Sequence, residues 1–196
     1  MAKIYAICDK NLLDSFSLSL EEYIKIAKYF NVEWIQYRDK KSTIEEKREN
    51  ILFLKKLWQK PLIVNDFIEL AQFADGVHLG QEDILDFINS FDLKSKYEAI
   101  KEIRKIVGKK IIGVSTHDEN EIREANILDI DYIGLGSFRK TNTKDVKSYL
   151  SSDFSKLIAL SKHPVAIIGG VRVYDDIDVD FKAIGKDLII KGITYN

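Results

Sequence analysis

The chain has one cysteine and two prolines among its 196 residues, and its formal charge is only -1, from 30 basic and 31 acidic side chains. Each scarcity excludes a class of protein. A single cysteine, Cys8, cannot form an internal disulfide, so a disulfide-stapled secreted domain is excluded. The balanced charge lacks the electrostatic footprint of a general nucleic-acid binder, and no nucleic-acid partner is expected. The longest apolar runs, such as Pro61-Leu62-Ile63-Val64 and Ile111-Ile112-Gly113-Val114, fall far short of the roughly 20 residues that cross a bilayer, and no membrane partner is expected. The N-terminal run from Met1 to Asp9 turns polar too early for a secretory segment. No Pro/Gly/Ser-rich hinge and no shift in charge pattern divides the chain. The expectation is one cytoplasmic domain spanning residues 1–196.

What is present is a recurring unit: a short apolar run, a polar turn, then an amphipathic segment. Candidate strands rich in Ile, Val, Tyr and Leu lie at about 3–8, 33–37, 61–64, 76–79, 111–114, 131–135, 164–168 and 187–190. Between them the period changes. Leu20, Tyr23, Ile24, Ala27 and Phe30 recur at helical spacing, as do Ile44, Ile51, Leu54 and Trp58 behind Ser42 and Thr43. Further helical stretches fit about 67–74, 95–107, 118–128 and 150–161.

Near-continuous apolar strands alternating with helices indicate a parallel sheet covered on its outside. Eight such units predict an α/β protein, a small TIM (β/α)8 barrel. The rival is an open doubly wound sheet, although no Gly-x-Gly-x-x-Gly turn follows the first strand. Such barrels typically run to about 250 residues, and the shortfall is concentrated at the end. Segment 171–180 has poor helical periodicity, and the chain stops six residues after the last candidate strand. A shortened C-terminal end lacking a full last helix is therefore expected. A second copy of the chain, in a homodimer, or the N-terminal segment would cover the exposed face.

In a parallel barrel the site forms at the C-terminal ends of the strands. The polar residues found there are chemically complementary. Alternation places Gln36, Arg38 and Lys40 on one face of the second strand. Asn65-Asp66 ends the third, and the fourth leads through His78 to Asp83. Ser115 and His117 follow the fifth, and Lys144 lies in the loop after the sixth. Gly169-Gly170 ends the seventh.

Asp66 and Asp83 are two carboxylates from neighbouring strand ends, a donor set suited to Mg2+. Arg38, Lys40 and Lys144 suit phosphate oxygens, Asn65 and Ser115 add neutral donors, and Gly169 and Gly170 let backbone N–H groups approach a phosphate. Each residue alone also has a plainer role. Asn-Asp makes turns and caps, Asp83 caps a helix, Arg and Lys make solvated surface, and the histidines serve as caps or core groups. Succession along neighbouring strand ends favours a magnesium-pyrophosphate pocket.

With these segments in order, the chain resembles the thiamine phosphate synthase and thiazole tautomerase superfamily, whose members are small (β/α)8 barrels. The likeness rests on Gln36-x-Arg38-x-Lys40, Asn65-Asp66, the run from Ala74 to Asp83, Gly113-Val114-Ser115-Thr116-His117, the run from Asp131 to Gly136, and Thr141-x-Thr143-Lys144. The synthase branch joins a hydroxymethylpyrimidine diphosphate to a thiazole phosphate and releases pyrophosphate. The resemblance implies that Gln36 binds the pyrimidine. Arg38, Lys40, Asn65, Ser115 and Lys144 would hold the diphosphate, with Arg38, Lys40, Ser115 and Lys144 acting on the leaving group. It gives Mg2+ to Asp66 and Asp83, and the thiazole phosphate to Thr141, Thr143, Gly169 and Gly170.

Three departures accompany the likeness. The family's strand-six loop usually carries two prolines, whereas this chain reads Gly136-Ser137-Phe138-Arg139-Lys140. Ser137 stands where the tautomerase branch has its histidine. The end reads Leu188-Ile189-Ile190-Lys191-Gly192 in place of an Ile-Ser phosphate turn, with Lys191 available as a substitute charge. The synthase reading leads. An isomerase using His117 or His78 for proton transfer and a catalytically silent phosphate-ligand-binding barrel are the alternatives.

Overall fold

A computed structural model describes residues 2–139 and 154–195. Eight parallel strands close into a barrel in sequence order: β1 (Lys3–Asp9), β2 (Trp34–Arg38), β3 (Leu62–Asn65), β4 (Gly76–Leu79), β5 (Ile111–Thr116), β6 (Tyr132–Leu135), β7 (Val165–Ile167) and β8 (Phe181–Ile184). The β1 strand closes the ring against β8, with Lys3 level with Phe181 and Ala6 with Ile184. The open-sheet alternative is thereby excluded.

Outside the strands run α1 (Lys10–Ser15), α2 (Leu20–Tyr29), α3 (Ile44–Leu57), α4 (Gln81–Ser90), α5 (Lys96–Val107), α6 (Glu119–Ala125), α7 (Phe154–Leu160) and α8 (Lys186–Tyr195). Local chemistry starts these helices. Ser19 and Thr43 open α2 and α3 with reciprocal capping boxes to Glu22 and Glu46, and Ser95 and Asp118 cap α5 and α6. Residues 67–74, expected to be helical, form only a short 3-10 turn at Ile68–Phe73.

Strand alternation divides the apolar residues into two cores. Outward residues such as Ile35, Leu62, Val64, Val77, Ile112 and Ile133 pack under the helices. Inward residues Tyr5, Ile7, Ile63, Tyr132, Ala166, Phe181 and Ala183 fill the barrel. Gly113 permits this filling, because a Cβ there would lie 2.1 Å from the ring of Tyr132.

The C-terminal expectations are corrected. Residues 187–190 are not a strand but lie in α8, and β8 is Phe181–Ile184, directly after the 171–180 stretch of poor helical periodicity. A short apolar run reads equally as strand or buried helix until its partners are known. Here Leu188 and Ile189 are fully buried, and Gly192 brings α8 so close to α2 that a Cβ would lie 2.5 Å from Ile26. The last helix is therefore present, with ten residues. It is the β7–β8 connection, 168–180, that contains no helix. The face whose exposure motivated a covering second copy is covered by α8, and that argument for a homodimer lapses. Lys191 sits on α8, 5.7 Å from the ring of Tyr174, and not at a strand end.

Candidate functional site

A buried polar chain crosses the barrel interior. Gln36 Nε2 donates to Tyr5 Oη at 2.9 Å, and the hydroxyls of Tyr5 and Tyr132 lie 2.7 Å apart. Tyr132 Oη is 2.9 Å from His78 Nδ1, and His78 Nε2 is 2.9 Å from Ser115 Oγ. Five strands thus contribute to one chain between two residues singled out in the sequence, Gln36 and Ser115. Burial pushes the Tyr5 and Tyr132 hydroxyls well above their ordinary range, keeping both protonated at neutral pH. The sequence pattern did not single out Tyr5 and Tyr132. Their signal was an inward tyrosine on each strand, with Gly113 leaving space for one ring.

Arg38 and Lys40 approach from β2 and the loop after it. Asp9, at the end of β1, pairs with the Arg38 guanidinium and also caps α1 by accepting from Leu12 N at 3.0 Å. Arg38 is thereby held at the adjoining ends of β1 and β2. Lys40 is more exposed and reaches within 3.9 Å of Asp66 Oδ2. The buried Asp39 stabilises the intervening turn, its Oδ1 accepting from Lys41 N and Ser42 N at 3.0 Å each.

At the next two strand ends, Asn65 is buried and Asp66 has a left-handed backbone, φ 69°, a conformation that Asp tolerates better than most residues. Asp83 caps the start of α4, its Oδ2 accepting from Gly80 N at 2.7 Å, so the capping role is present. Its carboxylate also lies within hydrogen-bonding reach of Asp66. Burial, and then the Asp83 charge beside it, push Asp66 up to about 6, against the opposing pull of Lys40 and Arg38. Two oxygen-donor groups that repel one another, with cations close by, fit a divalent metal and the phosphate it would carry. Among the described residues no group of three or more His, Cys, Asp or Glu could hold a metal ion.

Ser115 is half-buried at the end of β5, where Gln81 Nε2 donates to its carbonyl at 2.6 Å. Gly169 and Gly170 follow β7 with φ of 92° and 72°, values open to glycine without strain. The Thr141, Thr143 and Lys144 assignments lie outside the described residues. Both ring nitrogens of His78 are engaged in the buried chain. His117 is exposed and bonded through Nδ1 to Glu121 at 2.8 Å, and His163 reaches the carbonyl of Ala125. Cys8 is fully buried, which raises its thiol pKa and matches a structural role.

Against known proteins, a family model described as thiamine monophosphate synthase matches residues 4–179. The thiamine-phosphate synthase of Persephonella marina is 34% identical over 176 residues, covering 86% of this chain and 77% of the relative. That of Halalkalibacterium halodurans is 38% identical over 165 residues, covering 80% and 72%. A solved structure described as thiamine phosphate pyrophosphorylase from Pyrococcus furiosus superposes with a TM-score of 0.74 at 24% identity, over 98% of this chain and 96% of that one, a likeness of fold.

Proposed function

Because the chain belongs to the thiamine monophosphate synthase family, we propose that it is a transferase joining a hydroxymethylpyrimidine diphosphate to a thiazole phosphate, forming thiamine phosphate and releasing pyrophosphate. The observation that carries the reading is the mutually repelling Asp66 and Asp83 pair beside Lys40 and Arg38, an arrangement suited to a metal-bound diphosphate. An isomerase acting on the thiazole phosphate alone has no use for it. Moreover, the two histidines such an isomerase would need are engaged, His78 in the barrel interior and His117 with Glu121.

In this reading Gln36 binds the pyrimidine, its amide oriented by Tyr5. Arg38, Lys40, Asn65, Ser115 and Lys144 hold the diphosphate, and Asp66 and Asp83 hold Mg2+. Thr141, Thr143 and the Gly169-Gly170 turn receive the thiazole phosphate. When bound, Mg2+ supplies charge neutralisation at the leaving pyrophosphate. The carbon–oxygen bond breaks with its electron pair going to pyrophosphate. The positive charge left on the exocyclic carbon is spread into the electron-rich pyrimidine ring. Arg38, held in place by Asp9, and Lys40 stabilise the growing negative charge. The thiazole nitrogen then donates its lone pair to that carbon, forming the new bond. No proton is transferred and no protein nucleophile is needed, which agrees with a pocket built of cations, carboxylates and neutral donors.

Among the described residues no helix is long and apolar enough to cross a membrane. The proposal takes residues 1–196 as one catalytic unit acting in the cytoplasm on small diffusing substrates. The test is incubation with Mg2+ and both substrates. Thiamine phosphate forming only when all three are present supports the reading. Metal-independent isomerisation of the thiazole phosphate by itself would replace it with the isomerase.

A further inference from the structure

The loop after β6 is one of the three departures from the family's pattern, with Arg139 in a segment that usually carries rigidifying prolines. Its contacts are specific. Phe138 N donates to Ile168 O at 2.9 Å and Arg139 N to Gly169 O at 2.8 Å, extending the β6–β7 pairing beyond both strands. The Arg139 guanidinium lies 4.6 Å from the Phe138 ring centre. Its Nη1 donates to Gly170 O at 2.9 Å and to Asp175 Oδ2 at 2.5 Å, while Nη2 donates to Asp175 Oδ1 at 2.9 Å. One arginine therefore holds the carbonyls of both turn glycines and forks onto a carboxylate from the helix-free β7–β8 connection.

That connection is tethered by side chains where a crossover helix would ordinarily pack. Asp175 Oδ2 also accepts from Arg172 N at 2.8 Å, and Asp187 at the start of α8 accepts from Val173 N at 2.9 Å. Buried Lys182 on β8 donates to Val173 O and Asp175 O at 2.8 and 2.9 Å. Asp175 is thus a fixed anchor and Arg139 spans from it to the turn. In a planar trans peptide the C=O and the following N–H point in opposite directions. Holding Gly169 O and Gly170 O against Arg139 therefore directs the N–H groups of Gly170 and Val171 away from the β6 loop.

We propose that Arg139 and Asp175 are a positioning pair that aims the Gly170 and Val171 N–H groups at the phosphate of the second substrate, replacing with a charged clamp the rigidity that prolines give this loop in the family. The proposal rests on the reading of Gly169-Gly170 as the thiazole-phosphate turn. Neither side chain touches the reacting atoms; both act through the backbone. Arginine suits the task because its planar fork engages the carboxylate with two donors at once.

The test is calorimetric binding of the thiazole phosphate and, separately, of the Mg2+ complex of the pyrimidine diphosphate, to the wild-type chain and to Arg139→Ala, Asp175→Ala, the double variant and Arg139→Lys, alongside wild-type turnover. Each alanine variant should bind the thiazole phosphate on the order of tenfold more weakly while binding the diphosphate complex as the wild type does, which also reports an intact fold. The double variant should be no weaker than the weaker single variant, because the pair acts as a unit. Arg139→Lys should recover part of the loss. Unchanged thiazole-phosphate affinity in Arg139→Ala, or equal weakening of both ligands, overturns the clamp. If the wild-type chain binds the thiazole phosphate with this dependence yet makes no thiamine phosphate, the synthase reading falls and the clamp stands. If it binds no thiazole phosphate, both fall.

Discussion

The raised Asp66 carboxyl makes metal affinity depend on pH in a range where an ordinary aspartate would not. Its midpoint is about 6 in place of 3.8, chiefly through burial and then through Asp83. A metal competes with the proton for the carboxylate. With a midpoint near 6 the group is about 90% ionised at pH 7 and about 10% ionised at pH 5. The apparent dissociation constant for Mg2+ alone should therefore rise about tenfold between these values. An aspartate at 3.8 would stay more than about 90% ionised throughout, leaving the constant almost unchanged.

Isothermal titration of the substrate-free chain with Mg2+ reads this directly. At pH 6 binding should also release about half a proton, seen as a dependence of the heat on the buffer. The Asp66→Asn variant should bind more weakly and lose the pH dependence. The sign for stability follows from the same shift. Between about pH 4 and 6 the metal-free native state holds a proton that the unfolded chain has lost, so this group's contribution to stability falls as pH rises through that window. Mg2+ affinity in the wild-type chain that is equal at pH 5 and 7 would refute the reasoning.

Other consequences follow from named contacts. Tyr132→Phe removes one hydroxyl from the buried chain and takes one partner from each of Tyr5 and His78, so denaturant unfolding should show a loss of about 1–3 kcal/mol, with weakened pyrimidine diphosphate binding. Gly113→Ala places a methyl against the Tyr132 ring, and thermal unfolding should register a loss of about 1–3 kcal/mol or more. Asp66→Ala and Asp83→Ala should each abolish metal-dependent turnover while leaving the circular dichroism spectrum intact, with Asp83→Ala losing a further ~1 kcal/mol of stability as its helix cap disappears. Gly192→Val should lower the melting temperature by forcing α8 away from Ile26; an unchanged value would contradict the close packing of α8 on α2.

The strands from β1 to β7 were legible to within a residue or two because each is a buried run rich in branched and aromatic residues, bounded by polar turns. Gln36 and Arg38 were legible because alternation puts them on one face, and Asp66 and Asp83 because they sit at successive strand ends. The final strand and helix were not. Phe181-Lys182-Ala183-Ile184 contains a lysine whose burial makes sense only through the Val173 and Asp175 carbonyls it satisfies. Leu188-Ile189-Ile190 reads as a strand until Gly192 is seen against Ile26. The chain from Gln36 to Ser115 was equally hidden, since its links join residues 31, 127, 54 and 37 positions apart. The shortage of chain lies before β8, where side chains tether the connection, and not after it.

The most direct measurement of the central claim is a single turnover with enzyme in excess of the pyrimidine diphosphate, in the presence of Mg2+ and the thiazole phosphate, quantifying both products. The proposed transfer predicts equimolar pyrophosphate and thiamine phosphate, with both lost in Asp66→Ala. Pyrophosphate without thiamine phosphate, or no product from well-folded protein, would contradict it.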